Sequence, residues 1–107
     1  MANFTLHDLE DRVRERAKAD ADVSYTRKLL DRGVAHCAKK LGEEAVEAVL
    51  AAVGEDRPHM IAETADLLYH LLVVLKSRDV TLADVEKVLA EREGMSGLEE
   101  KSRRKGT

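Results

Sequence analysis

Two groups of acidic residues stand in surroundings that do not explain them. Glu43, Glu44 and Glu47 lie in the run KKLGEEAVEAVLAAV, and Glu63 and Asp66 lie in AETADLLYHLLVVL. Both runs are apolar and helix-forming, and a carboxylate is not expected there without a partner. Residues three or four apart on a helix share a face. Glu44 and Glu47 therefore point the same way, Glu43 and Glu47 nearly so, and Glu63 points with Asp66. If the two segments pack antiparallel, up to five carboxylates converge on one spot. Like charges held close repel and raise one another's pKa, so such a group requires a cation. Ligands that are all oxygen suit Mg²⁺ or Mn²⁺ rather than zinc. Such ions bridge phosphate oxygens and activate water, and nearby lysines neutralise the remaining charge. The chemistry this implies is in-line hydrolysis of a phosphoanhydride.

The elements that must position these acids can be read in order. Thr5 with Asp8 resembles a capping box, and Leu6, Leu9 and Val13 repeat at helical spacing, so residues 5–17 form an amphipathic helix. Residues 18–23 are a linker. Ser24 caps a short helix from Tyr25 to Arg32 that ends at Gly33. That helix carries Arg27 and Lys28, which are either solvated surface charges or phosphate contacts. The next helix runs from Val34 to Val53, with Gly54 as terminator. Val46, Val49, Leu50 and Val53 make its apolar stripe, and Glu43 and Glu47 sit at the stripe's edge. Lys39 and Lys40 lie one turn before the acids. Gly42 costs ~1 kcal/mol relative to Ala in mid-helix, and such a glycine permits close approach of a neighbouring backbone or ligand.

GEDRP is a turn, and Pro58 fits the first position of a helix from His59 to Ser77. Residues Leu67 to Leu75 are apolar nearly all round, which predicts a central helix buried on most sides. Glu63 and Asp66 precede that run, and burying a carboxylate without compensation is costly. His70 lies one turn beyond Asp66 on the same face, either as a hydrogen-bonded core histidine or as a partner to a ligand. Asp79 breaks the helix. Thr81 with Asp84 caps a last helix, which has Val85, Val88 and Leu89 on its apolar face and ends at Gly94. The remainder, about 95–107, is polar and basic. It is either a frayed tail or an arm that folds over an anionic substrate.

The totals bound the answer. A chain of 107 residues fits a single domain, 1–107. The net charge of −3, from 18 basic and 21 acidic residues, implies no nucleic-acid partner. The only aromatics are Phe4, Tyr25 and Tyr69, so the core is aliphatic and modest, and pairing with a second copy is plausible. The one cysteine, Cys37, excludes an intrachain disulfide and suits a reducing compartment; it reads as a small packing residue. No signal peptide or membrane span is visible, and the cytoplasm is the expected location. With no strand pattern, Gly-rich phosphate loop, CxxC or nucleophile elbow, the fold class is all-α, a bundle of about four to five helices. A di-iron bundle needs ExxH motifs. The residues three before His7, His36, His59 and His70 are Phe4, Gly33, Asp56 and Leu67, so no such motif exists.

EExxE at 43–47 and ExxD at 63–66 resemble the signature of the all-α nucleoside triphosphate pyrophosphohydrolases, a superfamily that includes the MazG-type enzymes and dimeric dUTPases. SYTRKLL (24–30), CAKKLGEEAVEAV (37–49), AETADLLYHLLVVL (62–75) and REGMSGLEEKSRRK (92–105) resemble one branch, the phosphoribosyl-ATP pyrophosphatase family. The resemblance covers the chain from Leu6 onward. It implies a MazG-like bundle completed by homodimerisation, in the stand-alone form without a cyclohydrolase domain. It also implies Mg²⁺-dependent hydrolysis of 1-(5-phosphoribosyl)-ATP between the α and β phosphates, the second step of histidine biosynthesis.

On this resemblance Glu44, Glu47, Glu63 and Asp66 are the metal ligands. Glu43 is a further ligand or the group that orients or deprotonates water, and which of Glu43, Glu44 and Glu47 is the base stays open. Lys28, Lys39 and Lys40 are the phosphate-binding candidates, with Arg92, Ser96, Lys101 and Arg103 on the tail as further ones. Two rivals remain. A housecleaning pyrophosphohydrolase acting on noncanonical nucleoside triphosphates would use the same metal site, although the SYT and SG segments argue against it. A non-enzymatic helical interaction module would use the acids only to solvate helix ends.

Overall fold

Five short-range signals start and stop five helices in the computed structural model, which describes residues 3–54 and 56–93. Helix α1 spans Leu6–Ala17, and its capping box is complete. The Thr5 hydroxyl accepts from the Asp8 amide at 3.2 Å, and the Asp8 carboxylate accepts from the Thr5 amide at 2.9 Å. Helix α2 spans Tyr25–Asp31. Its cap, Ser24, accepts from the Arg27 amide and donates to the Arg16 carbonyl at 2.8 Å, so one hydroxyl starts α2 and ties it to the end of α1. Helix α3 spans Val34–Val53 between Gly33, whose φ of 94° favours glycine, and Gly54.

Helix α4 spans Arg57–Ser77. It begins two residues earlier than the sequence predicts, because the Asp56 carboxylate takes the cap by accepting from the His59 amide. Pro58 therefore sits in the second position rather than the first, where its missing N–H is still harmless. Helix α5 spans Leu82–Arg92 behind a second capping box, Thr81 with Asp84. Asp79 ends α4 by a specific device. Its φ is +56°, and the Asp79 and Val80 amides donate back to the carbonyls of Lys76 and Leu75. That is the two-bond Schellman closure, and a short polar side chain tolerates the left-handed position it needs. No strand occurs among the described residues.

Helices α3 and α4 form an antiparallel hairpin, and α1 and α2 pack across one end of it. The core sits at that end. It consists of Val13, Leu29, Cys37, Leu72 and Val73, with Leu9, Leu30, Tyr69, Val74, Leu75 and Leu82 around them. All five helices contribute to it. The prediction for α4 needs correction: of Leu67 to Leu75, only His70, Leu72 and Val73 are buried, and Leu71 is 36% exposed. The run is apolar all round, but α1, α2 and α3 cover only part of its circumference.

The other half of the hairpin is barely covered. Val46, Val49, Leu50 and Val53 are 56–75% exposed, with Met60 and Ile61 beside the same turn also exposed. The apolar stripe read on α3 exists, but it faces out of this chain. Leu72→Ala is expected to lower the unfolding free energy by about 2–5 kcal/mol, and Thr81→Ala by about 1 kcal/mol. Both are read as shifts of the urea midpoint at unchanged slope.

Candidate active site

The hairpin brings acids from its two arms together. Glu44 and Asp66 lie equally far from the turn, one on each side of it. Carboxylate oxygens of Glu44, Glu63 and Asp66 all lie within 4.8 Å of one another. Glu44 and Glu63 are half-buried and Asp66 is exposed. Among the described residues, the basic side chain within 4.0 Å of them is His59, whose Nδ1 is 4.0 Å from the Glu63 carboxylate. Three carboxylates so placed, with so little internal compensation, form a donor set that fits a hard divalent cation. Mg²⁺ in particular is held by one or two carboxylates, with water and phosphate oxygens completing its shell.

Of the five acids predicted to converge, these three do. Successive residues on a helix are rotated by roughly 100°, so Glu43 and Glu44 cannot both face α4. Glu43 turns away and pairs with Lys40 at 3.2 Å. The hydrogen bond and charge of Lys40 hold the Glu43 carboxyl below its usual range, and Glu43 in turn raises Lys40. Glu47, one turn along α3 from Glu44, is exposed and lies outside the trio.

A cationic cavity of about 280 Å³ lies between α2 and α3, towards the start of α3 from the acids. It is lined by Tyr25, Lys28, Leu29, Arg32, His36 and Lys40. Two of the predicted phosphate ligands, Lys28 and Lys40, are therefore in it, while Lys39 is exposed and does not line it. Arg32, His36 and Tyr25 were not singled out from the sequence. The signal was there, since Lys28 and Arg32, and likewise His36 and Lys40, are spaced four apart and so share a face. Burial lowers the His36 pKa, and the charges of Arg32, Lys39 and Lys40 lower it further.

The SYT segment supports this cavity. Ser24 caps α2, and Tyr25 lines the cavity. Thr26 is buried, with its hydroxyl 2.6 Å from the Tyr69 hydroxyl. The Tyr25 ring stacks on Tyr69 at 6.5 Å and meets His70 edge-on at 6.4 Å. His70 donates from Nδ1 to the Asp66 carbonyl at 2.9 Å, which links this aromatic group to the turn of α4 that carries the acids. Its Nε2 is buried with no partner among the described residues. Cys37 is buried, its thiol is pushed up by burial, and its Sγ donates to the Leu29 carbonyl at 3.2 Å, so it packs as predicted. Arg92 lies in the last turn of α5. Ser96, Lys101, Arg103 and the rest of the tail lie outside the described residues.

The profile of the family described as phosphoribosyl-ATP pyrophosphohydrolase matches residues 6–93. The chain belongs to this family. Its relatives include phosphoribosyl-ATP pyrophosphatase 1 of Rhodopseudomonas palustris, 63% identical over 98% of both chains. The phosphoribosyl-ATP pyrophosphatase of Nitrobacter winogradskyi is 62% identical over 97% of this chain and 90% of that one. That of Rhizobium meliloti is 55% identical over 97% of each. The span matched to the phosphoribosyl-ATP pyrophosphohydrolase family contains all five candidate acids and every residue of the cationic cavity. Among the described residues, no helix is long and apolar enough to cross a membrane.

Millimolar Mg²⁺ is expected to raise the melting temperature, because a ligand that binds only the folded state adds about 2.7 kcal/mol at a hundredfold excess over its Kd. Glu63→Gln and Asp66→Asn are expected to abolish that shift. Without the ion, both variants should be at least as stable as the parent, since each removes one of the clustered charges. A calorimetric titration of melting temperature against Mg²⁺ checks both outcomes.

Proposed function

We propose that this chain hydrolyses 1-(5-phosphoribosyl)-ATP to 1-(5-phosphoribosyl)-AMP and pyrophosphate, breaking the bond between the α and β phosphates, as the second step of histidine biosynthesis. The observation that carries this reading is the trio Glu44, Glu63 and Asp66, gathered across α3 and α4 in a member of the phosphoribosyl-ATP pyrophosphohydrolase family. A divalent ion, Mg²⁺ in our reading with Mn²⁺ as a substitute, supplies charge neutralisation at the phosphate oxygens and activation of water. Glu44, Glu63 and Asp66 would hold it, with Glu47 on the next turn of α3 as a further ligand.

Glu43 works at the edge of the site. Its ion pair with Lys40 fixes the ammonium where it can meet the leaving pyrophosphate. A carboxylate held below its usual pKa is a weaker base, so Glu43 is better suited to orienting the attacking water than to taking its proton. Lys28 contributes to the cationic wall, with Lys39 as an outer contact, and Arg92, Ser96, Lys101 and Arg103 remain candidates to close over the substrate.

We further infer that the active form is a homodimer. Val46, Val49, Leu50, Val53, Met60 and Ile61 leave a continuous apolar flank on the hairpin that carries the acids, and isolated chains rarely leave large apolar patches uncovered. A single buried cysteine suits a reducing compartment, and the cytoplasm is the location we propose.

Pyrophosphate release from phosphoribosyl-ATP is the test. Turnover is expected only with Mg²⁺, and Glu47→Gln is expected to abolish most of it, because it removes a ligand of the ion that activates water. Turnover of other nucleoside triphosphates in preference to this substrate would instead make the chain a housecleaning pyrophosphohydrolase. Sedimentation is expected to give twice the chain mass for the parent and a shift towards monomer for Leu50→Glu, because a buried unpaired charge at an interface is strongly unfavourable.

A further inference from the structure

The cavity between α2 and α3 reaches further than cleavage of the anhydride requires. No carboxylate is among its lining residues, and neither Lys28 nor Arg32 forms an ion pair among the described residues. Burial lowers the His36 pKa, and the neighbouring charges of Arg32, Lys39 and Lys40 add to that. Such a cavity prefers an anion. Its volume of about 280 Å³ lies just under the roughly 300–1,000 Å³ typical of whole-ligand pockets, so it suits one end of a nucleotide-sized substrate.

Position along α3 says which end. At 1.5 Å rise per residue, Lys40 lies about 6 Å and His36 about 12 Å along the helix from Glu44. The leaving pyrophosphate extends only a few ångströms from the cleaved bond, within reach of Lys40. His36, and Arg32 beyond it on α2, are too remote to serve that group. Phosphoribosyl-ATP carries one other anion, the phosphate on its second ribose. A ribose, the adenine and the second ribose separate it from the α phosphate, so it must lie well away from the trio.

We propose that the α2–α3 cavity binds this second-ribose phosphate, with Arg32 and His36 as its ligands and Tyr25 as the wall against which the adjoining ring system lies. The Tyr25 ring is suited to that role. Tyr69 and His70 hold it from behind, and it is still 53% exposed. Aromatic faces accept heterocycles without demanding a particular hydrogen-bond pattern. The cavity thereby separates phosphoribosyl-ATP from ATP, which carries the same anhydride but has no group to place there. This inference rests on the substrate reading above.

The test crosses two substrates with three proteins at saturating Mg²⁺. The substrates are phosphoribosyl-ATP and the same molecule with the second-ribose phosphate removed. The proteins are the parent, Arg32→Ala and Arg32→Lys. On phosphoribosyl-ATP, Arg32→Ala is expected to raise KM about tenfold to a hundredfold, the worth of a charge-assisted contact, with kcat little changed. Arg32→Lys, which keeps the charge, is expected to recover most of that loss and so excludes a folding defect. On the dephosphorylated substrate, parent and Arg32→Ala are expected to share one kcat/KM.

An equal loss on both substrates would overturn the proposal and place the cavity on the triphosphate. No loss on phosphoribosyl-ATP would also overturn it. A parent that cleaves neither substrate would overturn the substrate reading, and this proposal with it. That failure is distinct from the cavity's own, which appears only with an active parent.

Discussion

The structure turns on a repulsion. Glu44, Glu63 and Asp66 are held within 4.8 Å of one another across the α3–α4 hairpin, with one histidine at the edge of contact. Left to themselves, these charges would push the two helices apart. They stay together because the hairpin is fixed elsewhere. Its turn is defined by the Asp56 cap, and its far end is clamped by α1 and α2 through Val13, Leu29, Cys37, Leu72 and Val73. The acids therefore sit on a lever whose fulcrum is the core, and together they make a donor set that fits a cation.

This division of labour runs through the molecule. One half of the hairpin holds nearly everything that makes the chain fold. The other half exposes aliphatic side chains and carries the acids. The cationic cavity lies where the halves meet, because α2 ends against the first turns of α3. Opposite charges thus follow one another along one helix. Lys40 and Glu43, a turn apart and paired, mark the boundary. A substrate with anions at both ends and a ring system between them matches that order of charge.

Much of this was legible in the sequence, for local reasons. Thr5, Ser24 and Thr81 each start a helix by a side-chain bond to a backbone amide three residues on, and Asp79 stops one. Such signals need no knowledge of the fold. The pairing of the two acid groups was legible as well, since a short turn between two long helices leaves little but an antiparallel hairpin. Helix rotation was not legible. Composition shows that Leu67 to Leu75 is apolar, but only the packed neighbours show that Leu72 and Val73 are covered while Leu71 is not. For the same reason, spacing alone kept Glu43 with its neighbours, whereas in the fold it turns towards Lys40. The cavity was hidden because its two sides come from different helices, and each alone looks like ordinary surface charge.

Cys37 has a use that its chemistry does not advertise. It is the only thiol in the chain. It is packed at the centre of the core and bonded to the Leu29 carbonyl, with its proton held by burial. A reagent that modifies thiols therefore reaches it only when α1, α2 and α4 separate. When reclosing outpaces labelling, the labelling rate follows the equilibrium population of open molecules. The chain thus contains a clock for its own opening. Reading that clock with and without divalent ion, or at different chain concentrations, reports how far each tightens the core from a distance, with no probe added to the active site.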